Sequence, residues 1–106
     1  MNRQQQIENF LAHAHRLAVD RLRAQPERIR EVQAQLARWR GLSGATRSDV
    51  YLDEWERLLA QPVEKLAQAV CADTDHATVL RSVSPVSVLI TQAERTQLLA
   101  QARLAA

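Results

Sequence analysis

The feature that most restricts how this chain can fold is the spacing of large apolar residues in Asp49–Leu59, DVYLDEWERLL. Tyr51, Trp55, Leu58 and Leu59 follow one another at intervals of four, three and one. One side of an α-helix therefore presents all four, while Asp53, Glu54, Glu56 and Arg57 take much of the remainder. A helix this short is marginal alone in water, so the helices before and after it must cover the stripe. Trp55 is the side chain on which they are expected to meet.

The same period recurs along the chain. Ile7, Phe10, Leu11, Ala14, Leu17, Ala18 and Leu22 repeat at three and four, which predicts a first helix over residues 4–24. Pro26 suits the first turn of a second helix, because its missing N–H is not needed there and it pushes Gln25 out of the α region. Ile29, Val32, Leu36 and Trp39 then share a face, and Gly41 is expected to end the run. Gly41 to Arg47, GLSGATR, reads as a loop, with Ser48 or Asp49 capping the third helix.

Beyond Leu59 the expected helices are short. Pro62 starts a fourth, buried through Val63, Leu66, Ala67 and Val70, and Asp73, Thr74 or Asp75 caps a fifth with Val79 and Leu80 inward. Alternation typical of a strand occurs only near Ser82 to Val88, where Pro85 argues against a central strand. Ser82 to Ile90 therefore reads as a buried loop packed through Val86, Leu89 and Ile90. Thr91 and Glu94 form a T-x-x-E capping box for the last helix, anchored by Leu98 and Leu99 before an Ala-rich tail that frays. Only two Gly and three Pro among 106 residues support this reading. The expected fold is all-α: one domain over residues 1–106, a small bundle of five to six helices. Its predicted core holds Leu36, Trp39, Tyr51, Trp55, Leu58, Leu66, Leu80 and Leu89.

Charge is unevenly divided. Nine arginines face four acidic residues from Met1 to Arg47, whereas five basic residues face eight acidic ones from Ser48 onward. The first part suits an anionic partner and the second a cationic one. Arg16 and Arg23 lie seven apart on one helical face, and Arg28, Arg38 and Arg40 extend positive charge over the second helix. Together they are the candidate nucleic-acid contacts of a small DNA-binding regulator. The first helix carries a long apolar stripe, which predicts a homodimer built on it.

Other chemistry is sparse. His13 and His15 stand two apart and point in separated directions on a helix, so they cannot share a metal. Cys71 and His76 could complete a zinc site only with one of these histidines, and read instead as a small buried hydrophobe and a first-turn helix residue, while Asp73 with Asp75 reads as caps rather than a cation site. No nucleophile elbow, Gly-rich phosphate loop, HExxH or paired carboxylates occur, so neither enzymatic activity nor a cofactor is expected. The apolar runs are too short for a membrane span, the amino terminus lacks the pattern of a secretory signal, and Cys71 stands alone. A cytoplasmic location is the expectation.

Trp55-Glu56-x-Leu58-Leu59, Leu80-Arg81-x-x-Ser84-Pro85-x-x-x-Leu89 and Glu94-Arg95 together resemble short bacterial helical proteins encoded beside nucleotidyltransferase-like or other toxins, some of which act as antitoxins. The resemblance spans about residues 28–99. Those proteins commonly carry Phe and then small residues after the Ser-Pro pair, where this chain has Val86, Ser87 and Val88. The resemblance implies a module that binds and neutralises a toxin protein, with autoregulation of its operon, through a surface centred on Trp55, Arg81, Ser84 and Pro85.

Overall fold

Trp55 has no exposed surface, and five of the six helices contribute to the core around it. A computed structural model describes residues 2–42 and 44–104. Within them the chain forms α1 (Arg3–Ala24), α2 (Ile29–Leu42), α3 (Asp49–Leu59), α4 (Val63–Val70), α5 (Asp75–Ser82) and α6 (Gln92–Leu104). Two 3₁₀ turns, Pro26–Arg28 and Val86–Leu89, complete the secondary structure, and no strand occurs among the described residues. The all-α bundle expected from periodicity is the fold observed. Its radius of gyration, 13.6 Å, matches the ~13 Å of a globule this long.

Local sequence explains most boundaries. Asn2 caps α1 by accepting a hydrogen bond from the Gln5 N–H at 2.8 Å. Pro26 opens a 3₁₀ turn rather than α2 itself, and α2 then packs against α3 and the Val86–Leu89 turn. Gly41 does not end α2; the helix continues one residue to Leu42, and the positive φ falls at Gly44. Neither Ser48 nor Asp49 caps α3 as expected. Thr46 organises the entry instead, donating its hydroxyl to Asp49 Oδ1 at 2.9 Å and accepting the Ser48 N–H. Pro62 precedes α4, and Thr74 caps α5 by accepting the Ala77 N–H. The T-x-x-E box closes reciprocally: the Thr91 N–H reaches Glu94 Oε1 at 2.9 Å, and the Glu94 N–H reaches Thr91 Oγ1 at 3.1 Å.

The main core joins Ala18, Val19 and Leu22 of α1 to Leu36, Trp55, Leu66, Leu80 and Leu89. Of the eight predicted core residues, Trp39, Tyr51 and Leu58 are only half-buried. A second, smaller core holds Phe10 and Ala14 of α1 against Ala102 of α6, with Leu98, Leu99 and Ile90 packed on it. Ala102 is thus a buried contact in a region expected to fray. The buried side of α1 is also rotated from the expected stripe: His15 and Val19 join it, Leu17 is half-buried, and Ile7 is 43% exposed. From Phe10 to Leu22 the helix is covered by α4, α5, the Val86–Leu89 turn and α6. Most of the apolar stripe on which a dimer through α1 was expected is therefore covered within one chain, with Ile7 exposed and Leu11 and Leu17 half-buried.

Candidate functional site

A tryptophan on a surface helix can be satisfied in two ways: swallowed whole with its N–H paired, or left half out with that donor free. This chain has one of each. Trp55, on α3, is swallowed; its indole Nε1 donates to the Leu80 carbonyl at 2.9 Å. Trp39, near the end of α2, is half-buried, and its indole N–H has no protein partner among the described residues.

Trp39 lines a groove of about 620 Å³ between the end of α2, residues 44–49, the start of α3 and the end of α5. Leu52 and Val83 add apolar surface to it. Its polar members are largely satisfied within the chain. Arg40 pairs with Asp53 and, at 3.2 Å, with Glu56, and Asp49 accepts the Thr46 hydroxyl. Leu42 precedes the 44–49 segment and is 84% exposed; Val50 follows it and is 63% exposed. Two large apolar side chains thus stand in water at either end, in sequence, of the segment that walls the groove, although neither lines it. Sequence reading placed Trp39 in the core because it continues the Ile29–Val32–Leu36 stripe. The missed signal is that Trp39 lies in the last turn of α2, where the stripe runs past the elements that cover it.

The residues expected to form a protein-binding surface lie elsewhere and mostly inside. Trp55 and Pro85 are fully buried, and Ser84 is half-buried with its Oγ accepting the Val86 N–H. Arg81 is also buried. Its Nη1 donates to the carbonyls of Val70 at 2.8 Å and Ala72 at 2.9 Å, and its Nη2 donates to Thr78 Oγ1. The guanidinium satisfies the end of α4 rather than the last carbonyls of its own helix, and it is not presented to a partner. These four side chains hold the core together and do not form an exposed patch.

The candidate nucleic-acid contacts are likewise accounted for by intramolecular bonds, with one exception. Arg23 bonds Glu64 through Nε at 2.8 Å and Asp20 through Nη1 at 2.9 Å; the Glu64 partnership, first, and Asp20 second raise its pKa above the usual arginine value. Arg28 forks onto Glu31, Arg38 bonds Gln35, and Arg40 is held as described. Arg16 is exposed and lines a shallow depression with Asp20, Glu64 and Cys71. No continuous free basic face joins the five. His76 bonds Glu54 at 2.8 Å, and among the described residues no three metal-ligating side chains come together.

Comparison with protein-family models, curated proteins and solved structures finds no match for this chain. Among the described residues no helix is long and apolar enough to cross a membrane.

Proposed function

We propose that the protein is a non-enzymatic protein-binding module whose contact face is the groove between α2 and α3. One observation carries this reading: the half-buried Trp39, its indole donor without a partner among the described residues, lines the groove, and the exposed Leu42 and Val50 flank the groove's 44–49 segment in sequence. Tryptophan in a partly desolvated pocket, with apolar neighbours and a polar rim, is the side-chain setting in which protein interfaces concentrate their energy. The partner is a protein that inserts an apolar segment and offers an oxygen acceptor to the Trp39 N–H. Similarity in Trp55-Glu56-x-Leu58-Leu59 and Ser84-Pro85 to antitoxin-like proteins makes the product of an adjacent toxin gene the partner to try first.

The DNA-binding reading receives less support, because four of its five arginines are engaged by carboxylates or an amide of the same chain. A homodimer on α1 is not part of the proposal, since most of the apolar side of that helix is covered by the same chain. The test is co-expression with the product of the neighbouring gene. The complex should form, and Trp39→Ala or Val50→Glu should weaken it by about 30-fold or more, the scale of a truncated hot spot. The melting temperature should change little for Val50→Glu. Failure to form a complex, or a complex indifferent to both substitutions, rejects the proposal.

A further inference from the structure

The packing of the first helix on the last leaves a trough lined by arginines and by no acid. Arg21 pairs with Glu94 at one end of the contact and Phe10 packs on Ala102 further along, so α1 and α6 run antiparallel. Arg3, at the start of α1, therefore lies toward the end of α6 that carries Arg103. Arg95 stands eight residues before Arg103, about 12 Å along the axis of an α-helix. All three line one basin of about 440 Å³, a volume in the range of small-molecule sites. Ser82 lines both this basin and the Trp39 groove, so the two adjoin there, while the rest of their linings differ.

The polar groups of the basin are set up to donate. Glu94, the one acidic residue of α6, is turned to Arg21 and does not line it. Arg3, Arg95 and Arg103 are exposed and make no ion pair among the described residues, unlike Arg21, Arg23, Arg28 and Arg40. Arg95 rests over the Phe10 ring, 5.2 Å from its centroid, a contact that spends none of its N–H groups on an oxygen. Arg81 also lines the basin; its partners are carbonyls and a hydroxyl, so no carboxylate cancels its charge. The Ser84 hydroxyl oxygen accepts the Val86 N–H, which leaves its hydrogen to give, and the exposed Ser87 hydroxyl has no partner among the described residues.

Two features of this lining select a ligand. Guanidinium groups carry no acceptor, so a peptide laid in the trough would bring backbone N–H groups to a wall that cannot receive them. A ligand made of acceptors alone avoids that cost. The charges are also strung along the trough rather than gathered at one point, so a single phosphate or carboxylate reaches only some of them. A chain of phosphoryl groups satisfies both conditions: it is elongated, multiply charged and acceptor-only, and guanidinium forks engage its oxygens in pairs.

We infer that this basin binds a linear polyphosphate group, as carried by a nucleoside polyphosphate or by inorganic polyphosphate. The chain runs between Arg95 and Arg103, with Arg3 at the Arg103 end. Ile7, 43% exposed, and the half-buried Leu99 supply apolar surface beside it for an organic body. The inference does not rest on the protein-binding reading.

The probes are tripolyphosphate, ATP, monophosphate, citrate and single-stranded oligothymidylate, each titrated calorimetrically against the full chain without divalent cations. Tripolyphosphate should bind saturably, about tenfold or more tighter than monophosphate, and raise the melting temperature. Citrate, multiply charged but compact, should bind as weakly as monophosphate. Arg95→Gln and Arg103→Gln should each weaken tripolyphosphate binding by about tenfold. Arg57→Gln, which removes the same charge from an exposed position on α3, should leave it unchanged. ATP binding as tightly as tripolyphosphate, with the same dependence on Arg95 and Arg103, assigns the site to nucleotides; tight binding of tripolyphosphate alone assigns it to inorganic polyphosphate. The inference is overturned if tripolyphosphate does not bind saturably at millimolar concentration, if monophosphate or citrate binds as well, or if Arg57→Gln is as damaging as Arg95→Gln. It is also overturned if oligothymidylate binds more tightly than tripolyphosphate through the same arginines, which would make the trough a nucleic-acid surface.

Discussion

At the scale of single residues, Arg81 and His15 show how a polar group can be fixed inside a thin core. Arg81 spans from α5 to the end of α4, where the Val70 and Ala72 carbonyls would otherwise be left without donors. Leaving such buried acceptors unpaired costs about 1–3 kcal/mol each. Arg81→Ala should therefore lower the melting temperature by roughly 10 °C or more, while Arg103→Ala, at an exposed position, should hardly move it. Equal losses in a thermal melt would refute this role. Trp55→Ala should be more damaging still, about 3–5 kcal/mol in denaturant titration, because it empties the centre of the main core and strands the Leu80 carbonyl. His15 makes stability depend on pH. Burial, the largest cause, holds its pKa at about 4, with Arg81 adding to the depression and the Leu11 carbonyl opposing it. The unfolded chain therefore takes up the proton first as pH falls from 6.5. Stability should decline between pH 6.5 and about 4 and level off below, by a total of about 3 kcal/mol. His15→Phe should flatten that part of the profile.

At the scale of elements, α6 is the helix with the fewest buried residues, Ala102 alone among those described, with Leu98 and Leu99 half-buried beside it. A polar latch compensates. Arg21 of α1 donates to both carboxylate oxygens of Glu94 and to the Leu89 carbonyl, while Glu94 also receives the Thr91 N–H. Arg21 first, and the Thr91 N–H second, hold the Glu94 carboxyl at a pKa of about 2. A carboxylate depressed in the folded state stabilises fully above its unfolded value, near 4.5, and its contribution is lost as pH falls toward 2. Glu94→Gln should remove this acid-sensitive contribution. Amide exchange should then quicken in α6 before it does in α3 or α4. An unchanged exchange pattern in α6 would show that the apolar contacts suffice alone.

At the scale of the whole molecule, the charge imbalance along the chain is partly consumed by folding. Arg21 and Arg23 of α1 meet Glu94 and Glu64, and Arg40 of α2 meets Asp53 and Glu56, so basic first-half residues find acidic second-half partners. A division that reads in sequence as two surfaces for two partners is in part a set of intramolecular pairs. Most are exposed and contribute little stability, but they remove arginines from the pool free to neutralise phosphate. With α1 covered as well, light scattering should give a mass near 12.0 kDa rather than that of a dimer. A doubled mass would mean that another face, such as the one carrying Leu42 and Val50, is self-complementary.

What sequence alone determined about this protein was everything local. The 3.6-residue period, the scarcity of Gly, the T-x-x-E box and the position of Pro26 each depend on residues within a turn or two of one another. They suffice for a bundle of five to six helices, of which six form, for Trp55 as the centre, and for Val86 and Leu89 as buried anchors. Periodicity says which side of a helix is apolar, but not how far its neighbours reach along it. It therefore placed Trp39 in the core although it is half in water, expected the tail that holds the buried Ala102 to fray, and left His15 off the buried side of α1. The functional candidates depend on that missing information. Arg3 and Arg103 stand a hundred residues apart in sequence and line one basin only because Phe10 packs on Ala102. Only tertiary structure could decide which arginines find carboxylates and which stay free, because each pairing depends on helix ends that no local pattern brings together.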